Sequence, residues 1–140
     1  MAQVVNNERA NPAVKQLAFA LTNGCAVGNR ACYYESIRKG LSFRFRFMED
    51  GTGIEEVCAP SVSSLRISHD GFAYGDCDCY SVLAAALARA RGLDARFVAQ
   101  ANGRSGRRFN HVFVQVNIDG NWLPLDVSPQ PGIRYTIWRI

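Results

Sequence analysis

A cysteine, a histidine and an aspartate occur in this order along the 140-residue chain, each where it could take part in thiol chemistry. Cys77 lies in Gly75-Asp-Cys-Asp-Cys-Tyr80, just before the helix-forming run 81–91. Unpaired N–H groups and the positive end of the dipole at a helix N-terminus stabilise a thiolate, which is the nucleophilic form of cysteine. His111 opens an alternating run, and Asp126 ends Trp-Leu-Pro-Leu-Asp. These residue types are typical of thiol acyl transfer.

Two cysteines compete for the role of nucleophile. Cys77 lies between Asp76 and Asp78, whose carboxylates would raise the pKa of its thiol, so a protonated histidine and the helix terminus would have to lower it. The common alternative is a buried packing role, for which two flanking aspartates are poor surroundings. Cys79, two residues on, points to another part of the first helical turn. We therefore predict Cys77 as the nucleophile.

The proposed partners of the thiol lie on two strands of a predicted hairpin. Asp119-Gly120 forms a tight turn between them, which would bring His111 and Asp126 within one or two registers of each other. The carboxylate could then hold the imidazole tautomer, as the third member of a triad does. The alternatives are a core histidine and an aspartate that caps a turn at Ser128. His69 is predicted to be a solvated loop residue.

The remaining pattern predicts the elements that position these side chains. Helices are predicted at 12–22, where Pro12 suits the first turn, at 29–38 with Gly40 ending the helix, and at 77–91 with Gly92 ending it. Alternation of apolar residues predicts strands at 41–48, 95–101, 109–118, 121–127 and 135–140, the last at the sheet edge. Residues 54–74 are predicted to be a long irregular connection with at most one helical turn.

Length and composition indicate one soluble globular domain over residues 1–140, with 48% hydrophobic and 20% charged residues. No segment is long and apolar enough to span a membrane, and the N-terminus lacks a signal-peptide layout. Reduced cysteines in a cytosol are therefore expected, with a Cys25–Cys32 disulfide as an unsupported alternative. The net charge of +4 is weak evidence about partners, because the arginines are scattered outside 104–108.

Two motifs resemble the transglutaminase-like superfamily, which is related to papain-type thiol enzymes. The first comprises Gly75-x-Cys77, Ser81 and Gly92-Leu-Asp-Ala-Arg96, and the second comprises His111-Val-Phe-Val-Gln-Val116 with Gly120-x-Trp-x-Pro-x-Asp126. The resemblance covers about residues 74–128, and it is specific because both motifs agree in order and internal spacing.

The upstream segment is similar to small members of this superfamily in tailed-phage and prophage gene clusters. This similarity rests on Phe43 to Phe47, Glu55-Glu56-Val57 and Pro60. The sequence departs from the family pattern twice. Cys79 replaces an acidic residue common in that subgroup, and Asp94 replaces the family's proline.

The resemblance implies an α+β, papain-like transglutaminase-core fold, with N-terminal helices and the nucleophile helix packed on an antiparallel sheet. It implies a Cys77–His111–Asp126 triad that forms a thioester from a peptide or amide bond, as a protease or amidase, with transamidation less favoured. The Cys77 N–H would help to hold the oxyanion. Tyr74, Asp76 and Trp122 are the further candidates for oxyanion or substrate contacts.

Three other functions stay open at this stage. A zinc site could combine Cys58, Cys77, Cys79, His69 and His111, but Cys-x-Cys is not the usual ligand pair, and we expect neither metal nor cofactor. The arginine-rich loop 103–108 could bind nucleic acid, but a mobile flap is favoured. A non-catalytic protein with a phage assembly role is the third alternative.

The expected partners follow from the same resemblance. They are a peptide or protein substrate and, as a second class, phage structural proteins, without membrane or nucleic acid. The expected location is the cytoplasm of a bacterial host, with a virion as the alternative.

Overall fold

A computed structural model of the protein describes residues 2–47, 58–101, 111–125 and 134–139, with the backbone alone at 47, 100, 101, 111 and 134–139. The helices are α1 (Ala2–Glu8), α2 (Pro12–Thr22), α3 (Arg30–Arg44), α4 (Pro60–Asp70) and α5 (Cys77–Ala90). The strands are β1 (Phe45–Phe47), β2 (Ala73–Gly75), β3 (Asp94–Ala101), β4 (His111–Ile118), β5 (Asn121–Leu125) and β6 (Arg134–Arg139). The predicted α+β fold is confirmed.

The described strands form two separate sheets. The larger sheet is antiparallel in the order β5-β4-β3-β6, so the last strand lies at an edge, as predicted. Between β4 and β5 the backbone turns at Asp119 (φ 54°) and Gly120 (φ 90°), which are the left-handed conformations of a two-residue hairpin turn. In the smaller sheet β1 pairs in parallel with β2.

Helix α5 is the centre of the hydrophobic core. Every residue from Cys79 to Ala88 is buried, and the helix packs against β3 and β4 on one side and the other helices around the rest. A helix that is covered on all sides in this way is apolar all round, and its alanines let neighbouring elements approach closely. The predicted end of α5 is confirmed, because Gly92 has φ 79° and the Leu93 N–H donates to the Ala88 carbonyl.

The first predicted helix is also confirmed. Helix α2 begins at Pro12, and the Asn11 side chain caps it by accepting a hydrogen bond from the Ala13 N–H at 2.9 Å.

The predictions around Gly40 are wrong. Helix α3 continues through Gly40 to Arg44, so only Phe45–Phe47 of the predicted strand 41–48 is extended among the described residues. A Cβ at residue 40 would lie 2.6 Å from the Leu21 Cδ2 atom, so glycine serves the close approach of α2 and α3 rather than ending a helix. Leu41 is buried while Phe43 is 82% exposed, which shows that the apparent strand alternation was misleading.

The irregular connection predicted at 54–74 is also wrong over its described part, since α4 occupies 60–70. Pro60 begins this helix, and Gly71 in a left-handed conformation ends it. The buried stripe of α4 includes Ser63 and Ser64, so polar residues concealed the helical period. His69 is exposed, as predicted, but it lies in the last turn of a helix and not in a loop.

The expectation of reduced cysteines is wrong. Disulfides join Cys25 to Cys32 and Cys58 to Cys79, with Cα–Cα distances of 5.7 and 4.9 Å. Both distances lie within the usual range for a disulfide. The second bridge fastens the first turn of α5 to the segment that leads into α4.

A hydrogen bond across 90 residues fastens β5 to helix α3. The Tyr34 hydroxyl donates to the Pro124 carbonyl. Proline has no backbone N–H, so an antiparallel strand accepts it at positions whose N–H would point away from the partner strand. In such a strand the N–H and the carbonyl of one residue point to the same side, so the Pro124 carbonyl also points away from β4. Tyr34 therefore satisfies a carbonyl that the ladder leaves without a partner.

Predicted strand residues 109–110, 126–127 and 140 lie outside the described residues.

Candidate functional site

Cys77 is the first residue of α5, and Asp76 caps that helix. The Asp76 side chain accepts a hydrogen bond of 3.0 Å from the Cys79 N–H. This contact stabilises the helix start, and it sets Cys77 among the backbone N–H groups of the first turn. In this contact the Asp76 side chain is an acceptor, and it fixes the start of α5 where Cys77 lies.

The pairing of the other four cysteines leaves Cys77 as the one free thiol of the chain. Cys79 is 1% exposed and bonded to Cys58, so it has no thiol with which to attack a substrate. Gly75 lies against this bridge, because a Cβ at residue 75 would be 2.5 Å from the Cys79 Cβ atom. Cys77 itself is half-buried.

The backbone of Val112 in strand β4 lies against the first turns of α5. The Ser81 hydroxyl donates to the Val112 carbonyl at 3.0 Å. The Val112 backbone also lowers the pKa of the Cys77 thiol, so the sulfur lies near this backbone. Val112 directly follows His111 in β4, so the thiol lies beside the strand end that carries this histidine.

The surroundings of Cys77 raise the pKa of its thiol overall. Burial is the largest cause, and the Asp78 and Asp76 carboxylates add to it. The backbones of Val112 and of Cys77 itself act in the opposite direction and lower this pKa. The predicted conflict between the flanking aspartates and thiolate formation is therefore present, and a cationic partner would be needed to favour the thiolate near neutral pH.

The other residues predicted for the site have different placements. The backbone of His111 pairs with Gln100 at the start of β4, and the His111 side chain and all of Asp126 lie outside the described residues. Tyr74 is 42% exposed on β2, three residues before Cys77. Trp122 is half-buried on β5, where the Arg96 guanidinium stacks 4.1 Å from its ring centroid.

Within the described ranges, no group of three or more histidine, cysteine or acidic side chains could hold a metal ion. Cys58 and Cys79, which belonged to the alternative zinc set, are joined to each other. The arginine-rich loop 103–108 lies outside the described residues. No helix in the described part is long and apolar enough to cross a membrane.

Cys79 and Asp94, the two residues that depart from the expected motif, both have partners in the structure. Cys79 forms the bridge to Cys58, and Asp94 accepts a salt bridge of 3.1 Å from Arg89 at the end of α5. Two contacts were not predicted from the sequence, namely the Cys58–Cys79 bridge and the hydrogen bond from Tyr34 to Pro124. Cys58 was considered only as an alternative zinc ligand, and no local pattern marks the contact of Tyr34.

Comparisons with known proteins agree with the observed fold. A sequence model described as Transglutaminase-like superfamily matches residues 48–127, which is more than half of the chain. The fold is similar to the crystal structure of a candidate protease from Parabacteroides distasonis, with a TM-score of 0.69 and 19% sequence identity. This match covers 91% of the present chain and 26% of the other, and it shows the fold alone. A search of curated proteins found no match.

Proposed function

The chain belongs to the transglutaminase-like superfamily, and on this premise we propose that it is a cysteine-dependent acyl-transfer enzyme of the protease or amidase type. The observation that carries the proposal is the position of Cys77. It holds the one free thiol of the chain, it starts α5, and it lies near the backbone of Val112, the residue that follows His111.

The proposed reaction has two acyl-transfer steps. His111 takes the Cys77 proton, and the thiolate attacks the amide carbonyl carbon of the substrate. The tetrahedral intermediate collapses as His111 gives the proton to the leaving nitrogen, which releases an amine and leaves a thioester. His111 then activates water, whose attack releases a carboxylic acid and restores the thiol. An amine in place of water would give transamidation.

The ladder between β4 and β5 supports a role for Asp126. Val114 pairs with Leu125, so one further residue in the same register would set Asp126 opposite Phe113. Residues 111 and 113 of a strand share a face, which would make Asp126 a diagonal neighbour of His111. A carboxylate there would orient the imidazole and stabilise the imidazolium.

The oxyanion of the tetrahedral intermediate would form near the start of α5. The Cys77 N–H is the first proposed donor, because N–H groups in the first turn of a helix have no carbonyl partner within the helix. Tyr74 remains the candidate for the second donor, since it precedes the nucleophile by three residues and is exposed. Trp122 remains a candidate substrate contact.

The test is the pH dependence of Cys77 alkylation by iodoacetamide, followed by mass spectrometry without reductant. With an imidazolium partner, wild-type Cys77 should react at a substantial rate near neutral pH. His111→Ala should shift the reaction to alkaline pH, because burial and two carboxylates raise the pKa of the thiol. His69→Ala, which changes an exposed histidine of α4, is the matched control. Identical pH profiles for wild type and His111→Ala would contradict the triad.

The second candidate is a non-catalytic superfamily member with an assembly role in a phage or prophage. The raised pKa of the Cys77 thiol favours the non-catalytic part of this alternative. A wild-type protein whose Cys77 reacts only at alkaline pH would support this function over the catalytic one.

A further inference from the structure

Two stacked arginine–aromatic pairs lie next to the nucleophile segment. The Arg66 guanidinium lies 5.2 Å from the Tyr74 ring centroid, and the Arg46 guanidinium lies 4.1 Å from that of Phe72. The two rings are 6.5 Å apart. In the parallel pairing of β1 with β2, Arg46 is opposite Tyr74, so both pairs belong to one continuous surface.

This surface also contains exposed apolar side chains of α4. Val62 and Leu65 are 46% and 48% exposed, and the helical spacing puts Val62 on the same face as Arg66. We refer to Arg46, Val62, Leu65, Arg66, Phe72 and Tyr74 together as the α4–β2 surface. It is apolar in part and carries two exposed cationic groups.

The two arginines have no anionic partner among the described residues. The ion pairs there join Arg38 to Glu35 and Arg89 to Asp94. Asp70, one turn after Arg66 on α4, does not form an ion pair with it. Stacking covers the flat face of a guanidinium and leaves its N–H edges available for a carboxylate.

The α4–β2 surface is close to Cys77 along the chain. Tyr74 and Cys77 are three residues apart, so their Cα atoms are at most about 11 Å from each other. An extended peptide advances about 3.3 Å per residue. A substrate side chain within about four residues of the reacting carbonyl could therefore reach the α4–β2 surface.

We propose that the α4–β2 surface binds an acidic side chain of the peptide substrate, with Arg66 and Arg46 as the residues that select it. This inference rests on the proposed function, because it specifies the substrate class of the same site. The substrate would be a peptide with aspartate or glutamate near the scissile bond and an apolar residue beside it.

The experiment uses pairs of peptide vinyl sulfones that label Cys77 and differ only by glutamate or glutamine at one of four positions. Labelling rates are measured by intact mass. At one position or more the glutamate peptide should react faster, and Arg66→Gln or Arg46→Gln should each reduce this preference by up to about fivefold. The labelling rate of the glutamine peptide should change less than that of the glutamate peptide. Arg38→Gln removes the same charge from α3, where Arg38 pairs with Glu35, and should preserve the preference.

A binding assay separates this inference from the proposed function. Cys77→Ala should bind a fluorescein-labelled glutamate peptide more tightly than its glutamine counterpart, and Arg66→Gln in that background should reduce the difference. This result would support binding of an acidic side chain by the α4–β2 surface even if no vinyl sulfone labels wild-type Cys77. A lack of labelling would count only against the proposed enzymatic function. Equal binding of both peptides, an equal effect of Arg38→Gln, or competition by an oligonucleotide but not by polyglutamate would overturn the inference.

Discussion

The two disulfides allow a matched test of how each one stabilises the protein. The Cys58–Cys79 bridge spans 21 residues and the Cys25–Cys32 bridge spans 7. A disulfide stabilises mainly by restricting the unfolded chain, and the restriction grows with the length of the closed loop. The loop-entropy relation gives about 3.3 kcal/mol for the longer loop and about 2.4 kcal/mol for the shorter one at 25 °C.

The perturbations are Cys58→Ser and Cys32→Ser, each of which opens one bridge with a nearly isosteric change at a half-buried position. Cys58→Ser keeps the Cys79 sulfur in the core. Urea unfolding followed by circular dichroism should show that Cys58→Ser lowers the free energy of unfolding by about 1 kcal/mol more than Cys32→Ser.

Reduction provides the control for these variants. In a thiol-free phosphine reductant, wild type and both variants should have unfolding free energies that differ by no more than a few tenths of a kcal/mol. A Cys58→Ser variant as stable as wild type under oxidising conditions would refute the reasoning. So would a larger loss from Cys32→Ser, because the longer loop would then contribute less than the shorter one.

Three further substitutions test the packing of β2 and β5 and the electrostatics around Cys77. Gly75→Ala should destabilise the protein by about 1–3 kcal/mol in urea unfolding, because the added Cβ would meet the Cys79 side chain; no loss would contradict this packing. Tyr34→Phe should cost about 1 kcal/mol or more, because it leaves the outward carbonyl of β5 without its donor, and an unchanged midpoint would exclude that contribution. Asp78→Asn removes a charge that raises the pKa of the Cys77 thiol, so alkylation near neutral pH should become faster. At strongly alkaline pH both proteins carry the thiolate and should react alike; a slower variant near neutral pH would contradict the assigned sign.

The elements with complete local signals could be predicted from the sequence. Pro12 and Asn23 bound α2, and a run of alanine and leucine with a following Gly92 marks α5. The Asp119-Gly120 turn likewise predicts the central hairpin. In each case the residues that decide the conformation are neighbours in the sequence.

The incorrect predictions involve residues whose roles depend on distant partners. Gly40 was interpreted as a helix end, but its small size accommodates Leu21 of another helix. Helix α4 was missed because Ser63 and Ser64 take core positions that a periodicity argument assigns to apolar residues. The Cys58–Cys79 pairing requires the folded positions of both residues, which spacing alone does not provide.

Part of the candidate site was predictable, because its signal lies in residues that are neighbours in the sequence. A cysteine at a helix start is a local signal, and it led to Cys77 before the structure showed that Cys79 has no free thiol. The roles of His111 and Asp126 stay predictions. The contact of Val112 with both Ser81 and Cys77 could not be anticipated, because it depends on how β4 docks against α5.

The contact between Tyr34 and Pro124 has a consequence for the behaviour of the protein at high concentration. An edge strand can recruit a strand from another molecule, and such pairing starts aggregation. At residue 124 the outer edge of β5 offers no N–H, and its carbonyl already accepts a hydrogen bond from a side chain of the same molecule. An incoming strand would find neither a donor nor an available acceptor there, so this end of the sheet resists growth between molecules.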